Sequence, residues 1–497
     1  MRLLSLVACL TMWLMLTAST VRAQDSTGGP KRIQLLNADR VVGDLIGGEV
    51  VDQAFGNVRF RQETTFMEAD RVTYYTDRGD VIFRGNVRFT DEGDTLTAAR
   101  VFYNEFTKIG RAEEEVELRD GEVVVQAPTG VYYTEEKRVT FDDGVTLVDS
   151  LSVLTSLRGE YFTEAKRAEF FENVQLYEAR SYLESDSITY FRETRISEAF
   201  GNVFAARRGG GGDVAADDST TITWLFGDRA FSDETAGRSE FFGDPLLLQF
   251  RTDSLGVTDT LIVQAQRLTS VQSDSTQHLD AVGNVEVWQE TLTAIGDSLT
   301  VDRIDVDSTL TQDRLALFGT PFAWADASQV SGDTLRFIQG TGHPDSLYVR
   351  GNTFVVEEDT TLDRLQQLKG EHLVGVFRSD STRQFVVGPQ AEAIRYLEAE
   401  EGGPGDAVQM SADLLTFWVR GEVLERILGE RGIQGTLYPS DQIPQSFQLG
   451  GFQWTPERRP SKARLLARPS VQEWLRRGLV VPGLPSEPPA NVVPPDG

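Results

Sequence analysis

Residues that could carry out chemistry are few and scattered in this sequence. The three histidines, His278, His343 and His372, stand far apart and have no metal-ligand spacing. Cys9 is the only cysteine. The stretch GGGGD, Gly209 to Asp213, occurs once and has no Lys-Ser/Thr pair behind it, so it is neither a phosphate loop nor a repeated calcium motif. We therefore predict no catalytic residue, no metal site, no cofactor and no enzyme activity.

The charged residues also indicate neither a catalytic site nor a nucleic-acid-binding surface. The acidic pairs Asp142-Asp143 and Asp217-Asp218 fall in predicted turns, where solvation is their simplest role. The formal net charge is -28 and the pI is about 4.6. Because nucleic-acid affinity comes from clustered Lys and Arg that replace counterions, we expect no nucleic-acid partner.

The N-terminus has the features of an export signal. Arg2 precedes an apolar run from Leu3 to Leu16, and Val21 and Ala23 occupy the small-residue positions before a cleavage site. We predict a cleavable signal peptide over residues 1–23. LVAC, Leu6 to Cys9, resembles a lipoprotein cleavage box, but the apolar run continues past it, so lipid anchoring is the less favoured prediction. The mature chain then has no cysteine for a disulfide.

A period of 29 residues organises the first half of the chain. One column contains Val58, Val87, Val116, Val145, Val174 and Val203. A second column with the same step contains Tyr74, Tyr103, Tyr132, Tyr161 and Tyr190. Two independent columns with one spacing indicate a repeat protein.

Each repeat predicts about two strands joined at a corner. Apolar and polar residues alternate around each marker valine, as strands with one buried face require. Residues such as Gly56-Asn57 and Gly85-Asn86 precede the valines and tolerate positive φ, which predicts a bend or bulge once per repeat. The predicted inward-facing set, besides Ala54 and Ala112, is Val58, Phe60, Phe83, Val87, Phe89, Val116, Leu118, Phe141, Val145, Leu147, Phe170, Val174 and Leu176.

The pattern predicts an ordered series of segments. Residues 33–205 hold regular repeats, 206–220 a glycine-rich loop insertion, 221–440 repeats in looser register, and 441–497 a basic, proline-rich extension. Within the extension, Ser470 and Glu473 predict a capped short helix, which is expected to cover the last sheet edge, with docking of a partner as the alternative role. Later corners are predicted at Pro245, Val285, Pro321, Thr353, Pro389 and Val423. The predicted fold is all-β: an elongated twisted β-jellyroll, or solenoid-like stack, of repeats of about 29 residues.

The repeated unit, GNV with alternating strand residues followed by ADRVTYY or AARVFY, resembles the OstA-like (organic solvent tolerance) family of lipopolysaccharide-transport proteins. The resemblance covers Ile33 to Tyr190 and extends more weakly to Val423. It implies a periplasmic β-jellyroll whose apolar interior, here the inward-facing set above, holds lipopolysaccharide or a similar acylated lipid. It also implies a bridge between the membranes, made by joining jellyroll-type components, or copies of one protein head to tail, through sheet edges.

Two other functions stay open from the residues. A parallel β-helix enzyme acting on polysaccharide predicts a cluster of inward-facing polar residues, whereas the columns are apolar. A secreted structural or adhesive solenoid predicts a closed core and outward-facing ligand residues. The apolar columns themselves are compatible with either a lipid groove or a dry protein core.

Overall fold

The structure is a computed structural model that describes most of the chain between residues 34 and 478. The predicted signal peptide, His343, Asp217-Asp218 and residues 210–219 of the predicted loop lie outside the described residues. The described ranges are 34–62, 64–91, 94–120, 123–133, 135–148, 152–162, 164–209, 220–252, 258–272, 276–305, 311–340, 344–378, 382–399, 404–421 and 423–478.

Strands account for 74% of the structure and helices for 5%. Every strand pairing that the structure describes is antiparallel, so the predicted all-β, jellyroll-type fold is confirmed. The described chain divides into two compact units after Arg207. Unit 1 ends there, and unit 2 runs from Arg208.

Fifteen strands begin in unit 1. They are β1 (Gln34–Asn37), β2 (Arg40–Ile46), β3 (Glu49–Gln62), β4 (Thr65–Tyr75), β5 (Asp80–Asp91), β6 (Asp94–Asn104), β7 (Ile109–Asp120), β8 (Val123–Tyr133), β9 (Arg138–Asp142), β10 (Val145–Val148), β11 (Ser152–Ser156), β12 (Arg158–Phe162), β13 (Arg167–Glu178), β14 (Ser181–Phe191) and β15 (Ile196–Gly209).

Unit 2 holds nineteen further strands and two α-helices, with 3₁₀ turns at Ser440–Gln442 and Pro456–Arg458. The strands are β16 (Thr220–Asp233), β17 (Arg238–Phe242), β18 (Leu246–Thr252), β19 (Thr258–Gln264), β20 (Arg267–Gln272), β21 (Thr276–Trp288), β22 (Thr293–Asp305), β23 (Thr311–Phe318), β24 (Phe322–Ala325), β25 (Ser328–Ser331), β26 (Thr334–Gly340), β27 (Asp345–Asp359), β28 (Arg364–Phe377), β29 (Thr382–Gly388), β30 (Ala391–Glu398), β31 (Pro404–Ala412), β32 (Leu414–Arg420), β33 (Val423–Glu430) and β34 (Gln434–Tyr438). The helices are α1 (Lys462–Leu465) and α2 (Pro469–Arg477).

The strands of unit 1 form a meander in which each long strand pairs with the strand before it and the strand after it. The register shifts once in the middle of each pairing, as between Arg84 and Val87. At these points two consecutive residues have positive φ, which is the predicted corner. In unit 1 the corners are Gly56-Asn57, Gly85-Asn86, Glu114-Glu115, Asp143-Gly144, Glu172-Asn173 and Gly201-Asn202.

Most corners predicted for unit 2 are also present. Positive-φ residues directly precede Pro245, Val285, Pro321, Thr353 and Pro389. The corner predicted at Val423 is wrong, because Arg420 and Val423 are opposite each other in the tight hairpin that joins β32 to β33. The corner of that layer is Arg431-Gly432, and Gly421, the signal that misled the prediction, forms the hairpin turn.

The corners of unit 1 lie in β3, β5, β7, β13 and β15 and between β9 and β10. The pairing register shifts beside each corner, so the long strands have two halves, and the halves form two walls that face each other. Cross-strand pairing arranges the inward side chains of the walls in four rows. The first wall carries the valine row (Val58, Ala69, Val87, Ala98, Val116, Ala127) beside the corner and the leucine row (Phe60, Met67, Phe89, Leu96, Leu118, Val125) at its margin. The second wall carries the phenylalanine row (Ala54, Val72, Phe83, Val101, Ala112, Gly130, Phe141) beside the corner and the tyrosine row (Tyr74, Val81, Tyr103, Gly110, Tyr132, Val139, Tyr161) at its margin.

In unit 2 the segment 439–478, here called the C-terminal strap, lies on the outer face of the corresponding first wall. Val285 and Val287 follow a corner and are buried on the inner side, so Glu286 and Trp288 between and after them belong to the outer side. Arg464 of the strap forms an ion pair with Glu286. The Lys462 ammonium lies 4.7 Å from the ring centre of Trp288. The predicted covering of the last sheet edge is therefore wrong: α1 packs on β21, and Arg468, which caps α2, bonds to Asp244 just before β18 and not to β33 or β34.

The strap runs back across the layers of unit 2 in reverse chain order. Phe447 and Leu449 pack in a buried cluster with Ile394 of β30 and Val356 of β27. Further along the strap, the Arg468 guanidinium donates to the carbonyl of Asp244, just before β18, at 2.5 Å.

Helix α2 starts differently from the prediction. Its N-cap is Arg468, without a side-chain cap, and Pro469 occupies its first turn, where a missing N–H costs nothing. Ser470 lies inside the helix, so the predicted capping box is wrong. Glu473 forms an ion pair with Arg477 instead.

Two buried glutamines attach the strap to the wall. Gln329 of β25 donates to the carbonyl of Gln453 (2.7 Å) and accepts from the backbone N–H of Thr455 (2.9 Å). Gln367 of β28 donates to the carbonyl of Phe447 (3.2 Å) and accepts from the N–H of Leu449 (2.9 Å). An amide side chain can complement a backbone peptide in this way because it has one acceptor oxygen and an NH₂ donor.

Candidate functional site

The interior of unit 1 is where the structure places the predicted inward-facing residues. Nine of them are buried, and the other four (Phe60, Phe141, Leu147, Leu176) are half-buried. Ala54 and Ala112 are buried as well. Neighbours on the opposite strand face, such as Arg88 and Arg59, are exposed. The alternation along each strand therefore sorts side chains as the sequence predicts.

The two walls touch at the level of β5. Phe83 and Phe89 lie on either side of the corner Gly85-Asn86, and their ring centres are 5.1 Å apart in an edge-to-face contact. Six residues of straight strand span roughly 20 Å, so the corner must fold the strand back on itself. The interior at this level is filled by protein.

The walls separate over the next strands, β6 to β9, and leave a cavity between them. It is ≈ 60 Å³, measured as the space open to the centres of water-sized groups. One such group needs roughly 10–15 Å³ on this measure, so the cavity is large enough for a short stretch of an acyl chain. The lining residues come from all four rows and are Leu96, Val101, Gly110, Ala112, Val116, Leu118, Gly130, Tyr132, Val139 and Phe141.

Small residues of the second wall provide this space. Gly130 leaves room for the ring of Phe141, which lies against it, and Gly110 stands between Tyr103 and Tyr132 in the tyrosine row. The sequence prediction included Val116, Leu118 and Phe141 but missed Val101, Gly110, Gly130 and Val139 as part of the interior. The signal was present in two further columns with the 29-residue step: Val72, Val101, Gly130 and Gly159, and Val81, Gly110, Val139 and Ala168.

The tyrosine row brings hydroxyl groups to this interior margin. The Tyr74 hydroxyl donates to Oε1 of Glu105 at 3.3 Å. Burial, together with Glu105, raises the pKa of Tyr74 to about 12. Burial likewise raises the pKa of Tyr132. Both hydroxyls therefore keep their protons at neutral pH and act as hydrogen-bond donors.

Residues considered for chemistry from the sequence are not assembled into a site. The Nδ1 atom of His278 lies 2.5 Å from Asp302 and its Nε2 atom 3.0 Å from Asp280. These carboxylates raise the pKa of His278 above its ordinary value. His372 is exposed beside Glu371. Among the described residues no group of three or more His, Cys, Asp or Glu side chains is arranged to hold a metal ion.

The outermost strands expose apolar side chains. Within the described part of unit 1, β1 and β2 pair only with β3. Val41 and Leu45 of β2 are 59% and 66% exposed, although Val41 is opposite the buried Ala54. In unit 2, the last strands β33 and β34 expose Val423 and Leu437. No helix in the described ranges is both long and apolar enough to cross a membrane.

The fold and this interior define a β-jellyroll-type protein with two facing walls and an apolar groove between them. Residues 31–186 match the family described as OstA-like protein, so this segment of the chain is similar to that family. No curated protein matches the sequence. Among solved structures the chain is similar to LptH from Pseudomonas aeruginosa, described as the LptA-homologous periplasmic component of the conserved lipopolysaccharide transport device. The match has 18% sequence identity, covers 31% of this chain and 87% of that chain, and has a TM-score of 0.15.

Proposed function

We propose that this protein is a non-enzymatic periplasmic carrier that holds acyl chains of lipopolysaccharide in the groove of unit 1 and takes part in a bridge between the inner and outer membranes. The observation that carries the proposal is the cavity between the walls, which is lined by apolar residues of all four rows. The match of residues 31–186 to the OstA-like family supports lipopolysaccharide as the cargo.

The strength of the proposed binding follows from apolar burial. Each methylene moved from water into the groove contributes roughly 0.8 kcal/mol. About two or three buried methylenes of one acyl chain would thus contribute on the order of 2 kcal/mol in the cavity. Apolar attraction is not directional, so a chain held in this way can slide along the rows.

The structure bears on the two alternative functions, a parallel β-helix enzyme and a solenoid with a closed core. The enzyme alternative required a parallel β-helix, whereas the described pairings are antiparallel. The alternative of a solenoid with a dry core agrees with the Phe83–Phe89 contact at β5. The cavity beside Val116 and Tyr132 favours a groove over a dry core in the following layers.

The outermost strands support the proposed partners. Exposed apolar residues such as Val41 on β2 and Leu437 on β34 would be covered if a strand of another jellyroll-type component, or of a second copy in head-to-tail order, extended the sheet. Backbone hydrogen bonds would then continue the walls, and the groove with them, into the partner.

A photo-crosslinking experiment tests the carrier function. A photoreactive residue at Leu118, which lines the cavity, is expected to form adducts when the purified mature protein is mixed with lipopolysaccharide. The matched control is Arg88, which is exposed on the outer face. Adducts at Leu118 but not at Arg88 support the groove. No adduct at Leu118, or equal adducts at both positions, overturns it.

A further inference from the structure

Two tyrosine hydroxyls at the margin of the second wall have no hydrogen-bond partner among the described residues. They belong to Tyr132 and Tyr161, and both hydroxyl oxygens are buried. Tyr132 is 6% exposed as a residue and lines the cavity of unit 1. A buried donor without an acceptor is costly, typically about 1–3 kcal/mol, so its retention in an apolar site calls for a reason.

The register places the two hydroxyls in one row. Tyr132 is opposite Val139, and Val139 is opposite Tyr161 on the next strand. The two tyrosines are thus two strands apart, which corresponds to about 9–10 Å. Val139, Phe141 and Tyr161 pack around Tyr132 and keep its ring in place. The donors are therefore fixed at a repeated interval along the mouth of the groove.

The surroundings of Tyr132 specify what an acceptor must look like. Tyr103 and Glu164 lie near enough to add to the effect of burial on the pKa of Tyr132, but neither is a hydrogen-bond partner of its hydroxyl. The cavity below Tyr132 is lined by apolar side chains and glycines, including Gly110, Ala112 and Leu118. A ligand that satisfies both the cavity and the hydroxyl needs an alkyl chain with an uncharged oxygen acceptor at its head end. The carbonyl oxygen of an acyl ester or amide has this arrangement.

We infer that Tyr132 and Tyr161 form a recognition site for acyl carbonyl oxygens, which orients acyl chains with their carbonyl groups at the mouth and their methyl ends toward the corners. This inference rests on the proposed carrier function and adds selectivity to it, since it distinguishes acyl chains from plain alkyl chains. The two hydroxyls, two strands apart, can bind the carbonyl groups of two neighbouring acyl chains of one lipid. They can also bind the carbonyl group of a single chain in turn as the chain moves along the groove.

The test compares two probes that differ only at the carbonyl group: a dodecanoyl lysophosphatidylcholine and its dodecyl ether analogue. The full mature chain is expected to bind the ester about 3- to 10-fold more tightly than the ether, which is the range for one net hydrogen bond. The double variant Tyr132→Phe/Tyr161→Phe should bind the ester as weakly as the ether and leave ether binding unchanged. Equal loss for both probes, or no loss for the ester, overturns the inference.

Two further measurements separate this role from a structural one. Tyr132→Phe removes an unpaired buried hydroxyl, so the lipid-free protein should unfold at the same temperature as wild type or a higher one. A lower unfolding temperature indicates a structural hydroxyl and contradicts the inference. The matched control is Tyr133→Phe. The ring of Tyr133 lies on the outer face against Arg138, so removing its hydroxyl should not change the affinity for either probe. If wild type binds neither probe, the carrier function itself fails; if it binds both equally, only the carbonyl recognition fails.

Discussion

The carboxylate of Asp70 occupies the space that a β-carbon on Gly85 would need. Asp70 lies on β4 and Gly85 at the corner of β5, where its φ is 76°. The Nδ2 atom of Asn86 donates to Oδ2 of the same carboxylate at 2.9 Å. The aspartate of one strand thus fixes the corner of the next.

In the six corners of unit 1, the first corner residue is glycine wherever an aspartate lies opposite it, and only there. An aspartate faces a glycine in three of them: Asp39 and Gly56, Asp70 and Gly85, Asp186 and Gly201. Where the equivalent strand position is not aspartate, the first corner residue is not glycine. These corners combine Ala99 with Glu114, Pro128 with Asp143, and Leu157 with Glu172.

Unit 2 contains exceptions, of which Gly283, which faces Gln266 and not an aspartate, is one. In another, Asp413 faces Arg431, which has a φ of 63° despite its long side chain. The Arg431 Nε atom lies 3.4 Å from Oδ2 of Asp413, so the pair forms an ion pair in place of the close approach to a glycine.

Gly85→Ala is expected to destabilise the protein by about 2–4 kcal/mol. A left-handed conformation costs an alanine about 1–2 kcal/mol, and overlap with Asp70 adds the rest. Adding Asp70→Ala should remove the overlap and return at least about 1 kcal/mol, which a double-mutant cycle of urea unfolding measures.

The matched control for that cycle is Glu114→Ala. Glu114 has the same left-handed conformation but stands opposite Ala99, so its replacement should change the free energy of unfolding by no more than about 0.5 kcal/mol. Additive effects of Asp70→Ala and Gly85→Ala would contradict the proposed coupling.

Ala112→Leu should fill the cavity and weaken lipid binding. The added carbons displace about two methylenes of a bound chain, which lowers affinity roughly tenfold, while stability changes by less than about 1.5 kcal/mol. Calorimetric titration with an acylated lipid measures the affinity. Thr97→Leu, on the outer face of β6, serves as the control and should bind like wild type; equal affinity of the Ala112→Leu variant would contradict a lipid site in this cavity.

Gln329→Leu should release the C-terminal strap. Its amide receives the Trp324 indole N–H at 3.0 Å in addition to bonding the strap backbone at Gln453 and Thr455. Leucine leaves these groups unpaired, at a cost of about 2–4 kcal/mol. Hydrogen exchange of residues 439–478 should accelerate.

The strap prediction has a control within the same segment. Gln445 is exposed, so Gln445→Leu should leave exchange unchanged. Unaltered protection of the strap in Gln329→Leu would show that apolar packing alone, around Phe447 and Leu449, holds it.

His278 should make stability depend on pH. The hydrogen bond to Asp302, aided by Asp280, outweighs burial and raises the pKa of His278 in the folded protein. The protonated ring therefore stabilises the fold. This contribution is complete below the unfolded pKa of about 6.5 and is lost as pH rises through the higher folded-state pKa.

Thermal unfolding of wild type and His278→Asn from pH 5.5 to 9 tests this dependence. Wild type should exceed the variant most at the acidic end, and the difference should shrink as pH rises. If the difference in unfolding temperature between wild type and His372→Asn shrinks in the same way, the effect is not specific to His278. If the difference for His278→Asn grows as pH rises, protonation of His278 does not stabilise the fold.

The edge of unit 1 should govern association. The double variant Val41→Lys/Leu45→Lys puts charge on the exposed apolar positions of β2. Where wild type forms assemblies, the variant should have the sedimentation coefficient of a monomer. Lysine at the outward, exposed Arg88 keeps the charge there and provides the control. Association that survives the two substitutions would place the contact elsewhere.

Much of the fold could be predicted from the residues because repeat contacts are local. Val87 and its neighbours pair with strands only one hairpin away, so their environment recurs every 29 residues and the column displays it. The interior set could be predicted for the same reason, through period-two alternation. The helix cap could not. Ser470 and Glu473 have the spacing of a capping box, but the helix begins at Pro469, two residues before the start that a Ser470 cap predicts.

The sequence by itself determined the all-β repeat, the corners and the identity of the inward rows, because each depends on residues within one repeat of one another. Only the tertiary structure decided how far the walls separate, since Phe83 and Phe89 close the interior at β5 whereas Gly110 and Gly130 leave it open beside Tyr132. It also decided the path of the strap. The contact from Arg468 to Asp244 joins residues 224 positions apart, and no local pattern encodes a partner at that separation.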